Sequence, residues 1–401
     1  MQGSPAVEQL TAADLRWTEV LPKSELRGDA HNLFEIGDRR RFTHFRFNIF
    51  PDGGVARLRM HGEVVPAWKQ ILATNTAIDL AAIVHGGRLL ACSDMFFSAP
   101  QNLLMPYAAA NIGDGWETKR RRGPGHDWVV LQLGIAGAIQ RIEVDTAQFK
   151  GNYPESCSVE ACMAEGAAED SQATWPWKEI LPRSLLGPDR VHVFEKEVAA
   201  CGSVTHVRFN IFPDGGVSRL RIVGTPSREG RLREGLRWLN SLDGEAARAA
   251  LVNCCGATRW VRGMLDGLPV ASLSQLFQKA EQLFAELTRE DWLEAFRHHP
   301  RIGEKTAAET QSAQARSWSE QEQSGVQESA AETRAALAEA NRAYEARFGY
   351  IFLVCATGKT SDEILALLRQ RLQNDAEKEL RIAASEQQKI TRLRLEKLLE
   401  L

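Results

Sequence analysis

The 401-residue sequence predicts a multidomain protein, with an all-β sandwich in its N-terminal half followed by an all-α helical domain. Two observations carry this. The string THFRFNIFPDGGVARLR, from Thr43, returns as THVRFNIFPDGGVSRLR, from Thr205, 162 residues on. The apolar pattern then changes period after Pro226, from two to three-and-four, which is the change from strands to helices.

The repeat comes first in the chain. Its two strings differ only at Phe45 against Val207 and Ala56 against Ser218. The match extends upstream, where WTEVLPKSELRGDAHNLFE from Trp17 resembles WKEILPRSLLGPDRVHVFE from Trp177. A period this long fits a duplicated domain rather than a solenoid. Within the string, Phe45, Phe47 and Ile49 alternate with Arg46 and Asn48, the period of a strand. Pro51-Asp52-Gly53-Gly54 is turn chemistry, and Val55 to Met60 alternates again. Strand, turn, strand is therefore predicted in both copies, with Asp52 and Asp214 as structural turn residues.

Between the copies, LAAIVHGGRLLACSD, HDWVVLQLG and IQRIEVDTAQF read as short strands set apart by Gly, Pro and Asp, as in a β-sandwich. One full unit runs roughly from Asp79 to Gly224. The first copy, Trp17 to Val64, is then the last third of a unit, without a counterpart of residues 79–175. The boundaries read as a partial first repeat at 1–66, a complete second repeat at 77–226 and a helical domain at 229–401. A third of a sandwich leaves open edges, so the first segment is expected to pack on the second copy, pair with another chain or stay loose. A homo-oligomer is expected.

Hydrophobic residues at 44% and charged residues at 25% describe an ordinary soluble globular chain. A net charge of −3 gives no basic excess for nucleic acid. No apolar run approaches the ~18 residues of a membrane span. The N-terminus lacks the basic and apolar blocks of a secretory signal, and the C-terminus carries no peroxisomal address. Seven cysteines at irregular spacings read as reduced thiols of a cytoplasmic protein.

Residues 17–226 resemble the allantoicase family. The strings that carry the resemblance are LLACSDMFFSAPQNLLMP, NIGDGWETKRRRGPGHDWVVLQLG, VDTAQFKGNYPES and THVRFNIFPDGGVSRLR. The resemblance implies jelly-roll-like β-sandwich repeats and hydrolysis of allantoate to ureidoglycolate and urea. That chemistry needs an anion site, a proton donor and an activated water. Candidates for the allantoate site are Asp94, Asp114, Glu117, Arg120, Arg121, His126, Asp127 and Asp145, with Glu155 a further acid–base candidate. The run Lys119 to Arg122 is either a carboxylate clamp or a solvated basic stretch. His126-Asp127 is either part of a site or a turn that orders the next strand. No His-x-His or HExxH pattern occurs, so spacing assigns no metal, and the cofactor need of this half is left open.

The helical half follows. GRLREGLRWLNSLDGEAARAALVNCCGATRWVRGML, SLSQLFQKAEQLFAELTREDWLEAF, SAAETRAALAEANRAYEARFGY and the C-terminal stretch from Thr360 all show helical amphipathicity. Thr288-Arg289-Glu290-Asp291 and Thr360-Ser361-Asp362-Glu363 offer N-cap chemistry. Gly303 to Ser324, polar and Gln-rich, is expected to be a loop with short turns.

HPRIGE, W-S-x-x-E-Q-x-G, RFGYIFLVCA and K-I-x-x-L-R-L occur in that order, and with them residues 232–399 resemble 2-oxo-4-hydroxy-4-carboxy-5-ureidoimidazoline (OHCU) decarboxylase. The resemblance implies an all-helical, cofactor-free enzyme that forms (S)-allantoin. It makes His299 the catalytic histidine and Glu322 its acidic partner. Pro300, Ser319, Glu320, Gln321, Gln323, Phe352, Leu353, Val354, Cys355, Ala356 and Arg394 would bind substrate. On this reading Glu322 is expected to orient the imidazole and raise its proton affinity. The partners implied are two small molecules, OHCU and allantoate, with neither nucleic acid nor membrane. Two functional readings stand at this point: a bifunctional enzyme, or a decarboxylase whose β region is a non-catalytic scaffold.

Overall fold

The computed structural model describes residues 17–38, 40, 42–73, 76–164, 169–302, 312–322 and 331–400. The chain forms two compact units, 1–62 and 63–401.

Among the described residues of the first unit there is no helix and no strand. The predicted strand–turn–strand is thus formed in the second copy only. The turn itself keeps the same backbone in both. Gly53 has φ +140° and Gly215 φ +136°, and the Phe50–Pro51 and Phe212–Pro213 bonds are both cis. The flanking apolar residues differ in fate. Phe45, Phe47 and Ile49 are 49%, 47% and 41% exposed, while Val207, Phe209 and Ile211 are each 0% exposed. Turn geometry is local, set by Pro and Gly. A strand exists only through the neighbours that hydrogen-bond to it.

The second unit opens with a short helix, α1 (Trp68–Leu72), and then the sheet-rich part. Its strands are β1 (Ile78–Asp79), β2 (Arg88–Cys92), β3 (Trp116–Glu117), β4 (Asp127–Asp145), β5 (Ser156–Cys162), β6 (Lys178–Leu185), β7 (Val191–Phe194), β8 (Ser203–Phe212), β9 (Gly216–Val217) and β10 (Arg219–Pro226). All pairings are antiparallel. The main sheet has the order β1-β10-β4-β8-β5-β6, β2 and β7 also pair with β4, and β3 pairs with β9.

β4 organises the domain. Its first part lies between β2 and β8, and its last part between β10 and β7. The sheet therefore turns over along this one strand. It encloses a core that joins Val129, Leu131 and Phe209 to Ile142, Val144, Leu220 and Ile222. The sequence reads β4 as two runs because Gly134 and Gly137 interrupt it. They mark close approach instead. A Cβ on Gly134 would lie 1.9 Å from the His85 carbonyl oxygen, and one on Gly137 2.6 Å from that of Thr225.

β10 ends at Pro226 and Ser227 caps the next helix, its Oγ accepting from Gly230 N and donating to Ala136 O. The helices are α2 (Arg228–Asn240), α3 (Gly244–Val252), α4 (Thr258–Leu265), α5 (Leu273–Ala285), α6 (Arg289–Phe296), α7 (Ala313–Glu322), α8 (Ala331–Phe348), α9 (Ser361–Arg371) and α10 (Ala376–Leu399). Both predicted N-cap strings form capping boxes, Thr288 with Asp291 and Thr360 with Glu363. One core cluster gathers Trp260, Phe277, Phe296, Leu380 and Leu395, and a second gathers Tyr344, Phe352, Ile364 and Leu368.

α7 corrects the expected loop at 303–324, of which residues 303–311 and 323–324 lie outside the described residues. Its polar composition hides a buried stripe. Ala315, Trp318 and Ser319 are buried at helical spacing, and Trp318 enters the helical core. That tertiary contact supports a helix of weak intrinsic signal.

Candidate active sites

The helical site is assembled from four segments. After α6 the chain turns, with His298 N donating to Ala295 O and His299 N to Phe296 O. Pro300 follows and leads the chain away from the helix. α7 contributes Ser319 and Glu322. The extended stretch before α9 contributes Phe352 to Ala356, and α10 contributes Arg394. His299, Pro300, Ser319, Glu322, Phe352–Ala356 and Arg394 all line one pocket.

Arg394 is the hub, at 2% exposure. Its Nη2 donates to Glu322 Oε2 at 3.0 Å and to Ser319 Oγ at 2.9 Å. Its Nε donates to Glu322 Oε1 at 3.3 Å, and Nη1 to the Asn253 carbonyl at 3.4 Å. Lys397 Nζ reaches Glu322 Oε1 at 3.2 Å. A lone buried guanidinium would be costly, so the carboxylate, hydroxyl and carbonyl together keep it in place.

His299 is partly buried at the pocket wall. Burial pushes its proton affinity well below the ordinary value near 6.5, and the Arg394 and His298 charges add to that. The neighbouring Gln387 side chain acts in the opposite direction without winning. This corrects the expectation that Glu322 raises the affinity. The Glu322 carboxylate is committed to two cations, and among the described residues it makes no hydrogen bond to His299. The imidazole therefore rests neutral near pH 7, as a proton acceptor.

The other sequence candidates separate. Gln321 is exposed and does not line the pocket; Glu320 is on α7; Gln323 lies outside the described residues. Cys355 lines the pocket, its N–H donating to Glu386 Oε2 at 2.8 Å, and burial pushes its thiol up. Sequence reading missed Ile390, Leu393 and the buried Gln387, all on α10. The signal was present: 387, 390 and 394 share one helix face.

In the sheet-rich part, one cluster forms where the loops around 93–97 and 118–127 meet the second PDGG turn. Arg121 pairs with Asp127, which is 2% exposed. Asp127 Oδ1 also accepts from Ser93 Oγ at 3.0 Å. Asp94 accepts from Lys119 N at 2.8 Å and Phe96 N at 3.2 Å, and lies 3.7 Å from Lys119 Nζ. Asp214 accepts from Arg121 N at 2.8 Å, a long-range bond that ties the second PDGG turn to the KRRR loop. Of the KRRR run, Lys119, Arg120 and Arg122 are exposed and Arg121 is held inward.

Of the remaining candidates, Glu117 and His126 border this cluster, and Asp114 and Asp145 are engaged by other backbone groups. Glu117 accepts from Asn152 Nδ2. Asp114 accepts from Ala110 N and Asp145 from Ala147 N, each at 2.8 Å. The His126 ring rests on Phe212 at 4.6 Å between centroids. Among the described residues no three His, Cys, Asp or Glu side chains are placed to hold a metal ion.

Comparison with known proteins gives a matching pair of assignments. An allantoicase repeat family model matches residues 2–65 and 78–227, and an OHCU decarboxylase model matches 240–396. A probable allantoicase of Pseudomonas aeruginosa strain UCBPP-PA14 is 54% identical over 213 residues, which cover 52% of this chain and 64% of that protein. The chain thus spans under two thirds of the curated relatives it matches. The allantoicase structure from Saccharomyces cerevisiae is 41% identical, covering 44% of this chain and 49% of that one, with TM-score 0.38. A structure of OHCU decarboxylase in the presence of (S)-allantoin is 34% identical, covering 37% of this chain and 96% of that one, with TM-score 0.33.

Proposed function

Since the chain belongs to the allantoicase family and carries an OHCU decarboxylase domain, we propose that it is a bifunctional enzyme of purine catabolism. The C-terminal domain decarboxylates OHCU to (S)-allantoin, and the sheet-rich region hydrolyses allantoate to ureidoglycolate and urea. The observation that carries the reading is the convergence of His299, Glu322 and Arg394, from distant parts of the chain, on one pocket.

The chemistry follows from these groups. The carbon that loses CO₂ also bears a hydroxyl; the pair from the broken C–C bond forms a double bond to the neighbouring ring carbon, the C=N pair of that carbon moves to nitrogen, which takes a proton from solvent, and an enol is left. Formation of the allantoin carbonyl moves a proton from that oxygen to the neighbouring carbon, on one face. A neutral imidazole on that face takes the hydroxyl proton and, as the imidazolium, returns it to that carbon. Arg394 faces the substrate carboxylate and the charge that develops as it leaves. Glu322 keeps Arg394 oriented and offers oxygen acceptors to ureido N–H groups. Backbone groups of Phe352 to Ala356 hold the rest of the ureido arm. The scheme requires no cofactor.

For allantoate, the Asp94, Arg121 and Asp127 cluster is the proposed site, with the cofactor need of that half open. A second reading keeps the sheet-rich region as a scaffold. It is favoured by the engagement of each carboxylate in this cluster with backbone, hydroxyl or cationic partners. Among the described residues no helix is long and apolar enough to cross a membrane. We place the chain in the cytoplasm, as a homo-oligomer acting on small molecules.

Urea release from allantoate by the purified chain, beside decarboxylation of freshly generated OHCU, tests both parts. Urea and allantoin together support the bifunctional enzyme. Allantoin without urea leaves the scaffold reading, and neither product overturns the proposal.

A further inference from the structure

Gln387 lies on α10, one turn before Ile390 and two before Arg394, on the face that lines the pocket. It is 0% exposed. Its Nε2 donates to Thr391 Oγ1, one turn on, at 3.2 Å. Thr391 is itself buried, so the amide has a dry backing. With the nitrogen end so engaged, the Oε1 end is turned away from Thr391. Among the described residues it has no hydrogen-bond partner of ordinary geometry. The His299 ring is within its reach. A buried amide oxygen without a donor is costly, and a ring N–H is a donor of the right kind.

We propose that Gln387 is a positioning residue for His299: its Oε1 accepts the N–H of one ring nitrogen and leaves the lone pair of the other facing the pocket. The inference rests on the reading of His299 as the proton carrier. A neutral imidazole has two tautomers, and only one presents a lone pair to the substrate. The charged group facing the ring from α10 is Arg394, and His298 adjoins it in sequence. Both oppose a second proton on the ring. A carboxylate in place of Gln387 would favour the imidazolium, whereas a neutral amide fixes the tautomer and leaves the ring uncharged.

The test uses the full chain with ¹⁵N-labelled histidine, the His299 signals being assigned by their loss in His299→Gln. Long-range proton–nitrogen spectra read both tautomer and titration. The unsubstituted chain should show one neutral tautomer. Gln387→Leu, apolar and of similar size, should show a mixture. Gln387→Glu should keep one tautomer and raise the titration midpoint by about one pH unit or more. On OHCU, Gln387→Leu should lower kcat roughly 10- to 100-fold, with KM changed less than about twofold, the pattern of a lost orienting partner. An unchanged tautomer, titration and kcat in a folded Gln387→Leu would overturn the proposal. If that variant does not fold, an unchanged midpoint in Gln387→Glu does so. The spectra need no substrate. Absence of (S)-allantoin from the unsubstituted chain would sink the functional reading and leave the role of Gln387 to be decided by the tautomer.

Discussion

Arg394 and Glu322, 72 residues apart in sequence, meet side by side at the pocket through two hydrogen bonds, Nη2–Oε2 at 3.0 Å and Nε–Oε1 at 3.3 Å. The pair is almost wholly shielded from solvent, with side-chain exposures of 3% and 10%. Its strength comes from two parallel bonds, and its cost from desolvation of both charges.

Breaking that pair should therefore hurt twice. Glu322→Gln leaves Arg394 and Lys397 facing a neutral amide. Thermal or denaturant unfolding should show a loss of about 3–5 kcal/mol, as for a buried pair deprived of one partner. Arg394→Lys keeps the charge and loses the fork. It should retain more stability than Glu322→Gln, and steady-state kinetics should show decarboxylation at least about 100-fold slower.

His299 sets the acid side of the pH profile. Its folded-state proton affinity lies below the unfolded value near 6.5. The unfolded chain therefore binds a proton that the folded chain refuses. Stability rises with pH through this window and is lost as pH falls from about 6.5 toward the depressed folded value. Unfolding curves at pH 5 and 7.5 should differ in that sense, and His299→Gln should reduce the difference. The acid limb of kcat/KM should likewise fall below pH 6.5. His299→Ala should lower turnover about 10²- to 10⁴-fold while the circular dichroism stays unchanged.

Asp127 separates the two readings of the sheet-rich region. Asp127→Asn removes the charge facing Arg121 and keeps the shape. Urea release should fall at least about tenfold with decarboxylation unaffected, since the two sites are built from different cores. Unchanged urea release in this variant would exclude Asp127 from the allantoate site.

Gly134 tests why β4 is one strand. Gly134→Ala places a methyl 1.9 Å from the His85 carbonyl oxygen, which is fixed backbone. The melting temperature of the sheet-rich part should drop, corresponding to roughly 3 kcal/mol or more. An unaltered melt would mean that the 83–87 turn yields to the methyl group.

The sequence by itself determined what is local. Alternation, helical periodicity and the two Thr capping boxes depend on residues a few positions apart, and so does the PDGG turn, which keeps one backbone in both copies. The motifs also identified most of the pocket, because His299, Glu322 and Arg394 stand in recognisable strings. Tertiary structure decided the rest. The same string is a paired, buried strand at Ser203–Phe212 and has no strand at 43–50, since a ladder needs neighbours that the string does not encode. α7 forms where composition suggests a loop, because Trp318 finds a core. The charge on His299 is set by burial and by Arg394, so its proton affinity moves opposite to the direction that pairing with Glu322 would give. Burial and long-range approach are properties of the folded chain as a whole, and no window of sequence contains them.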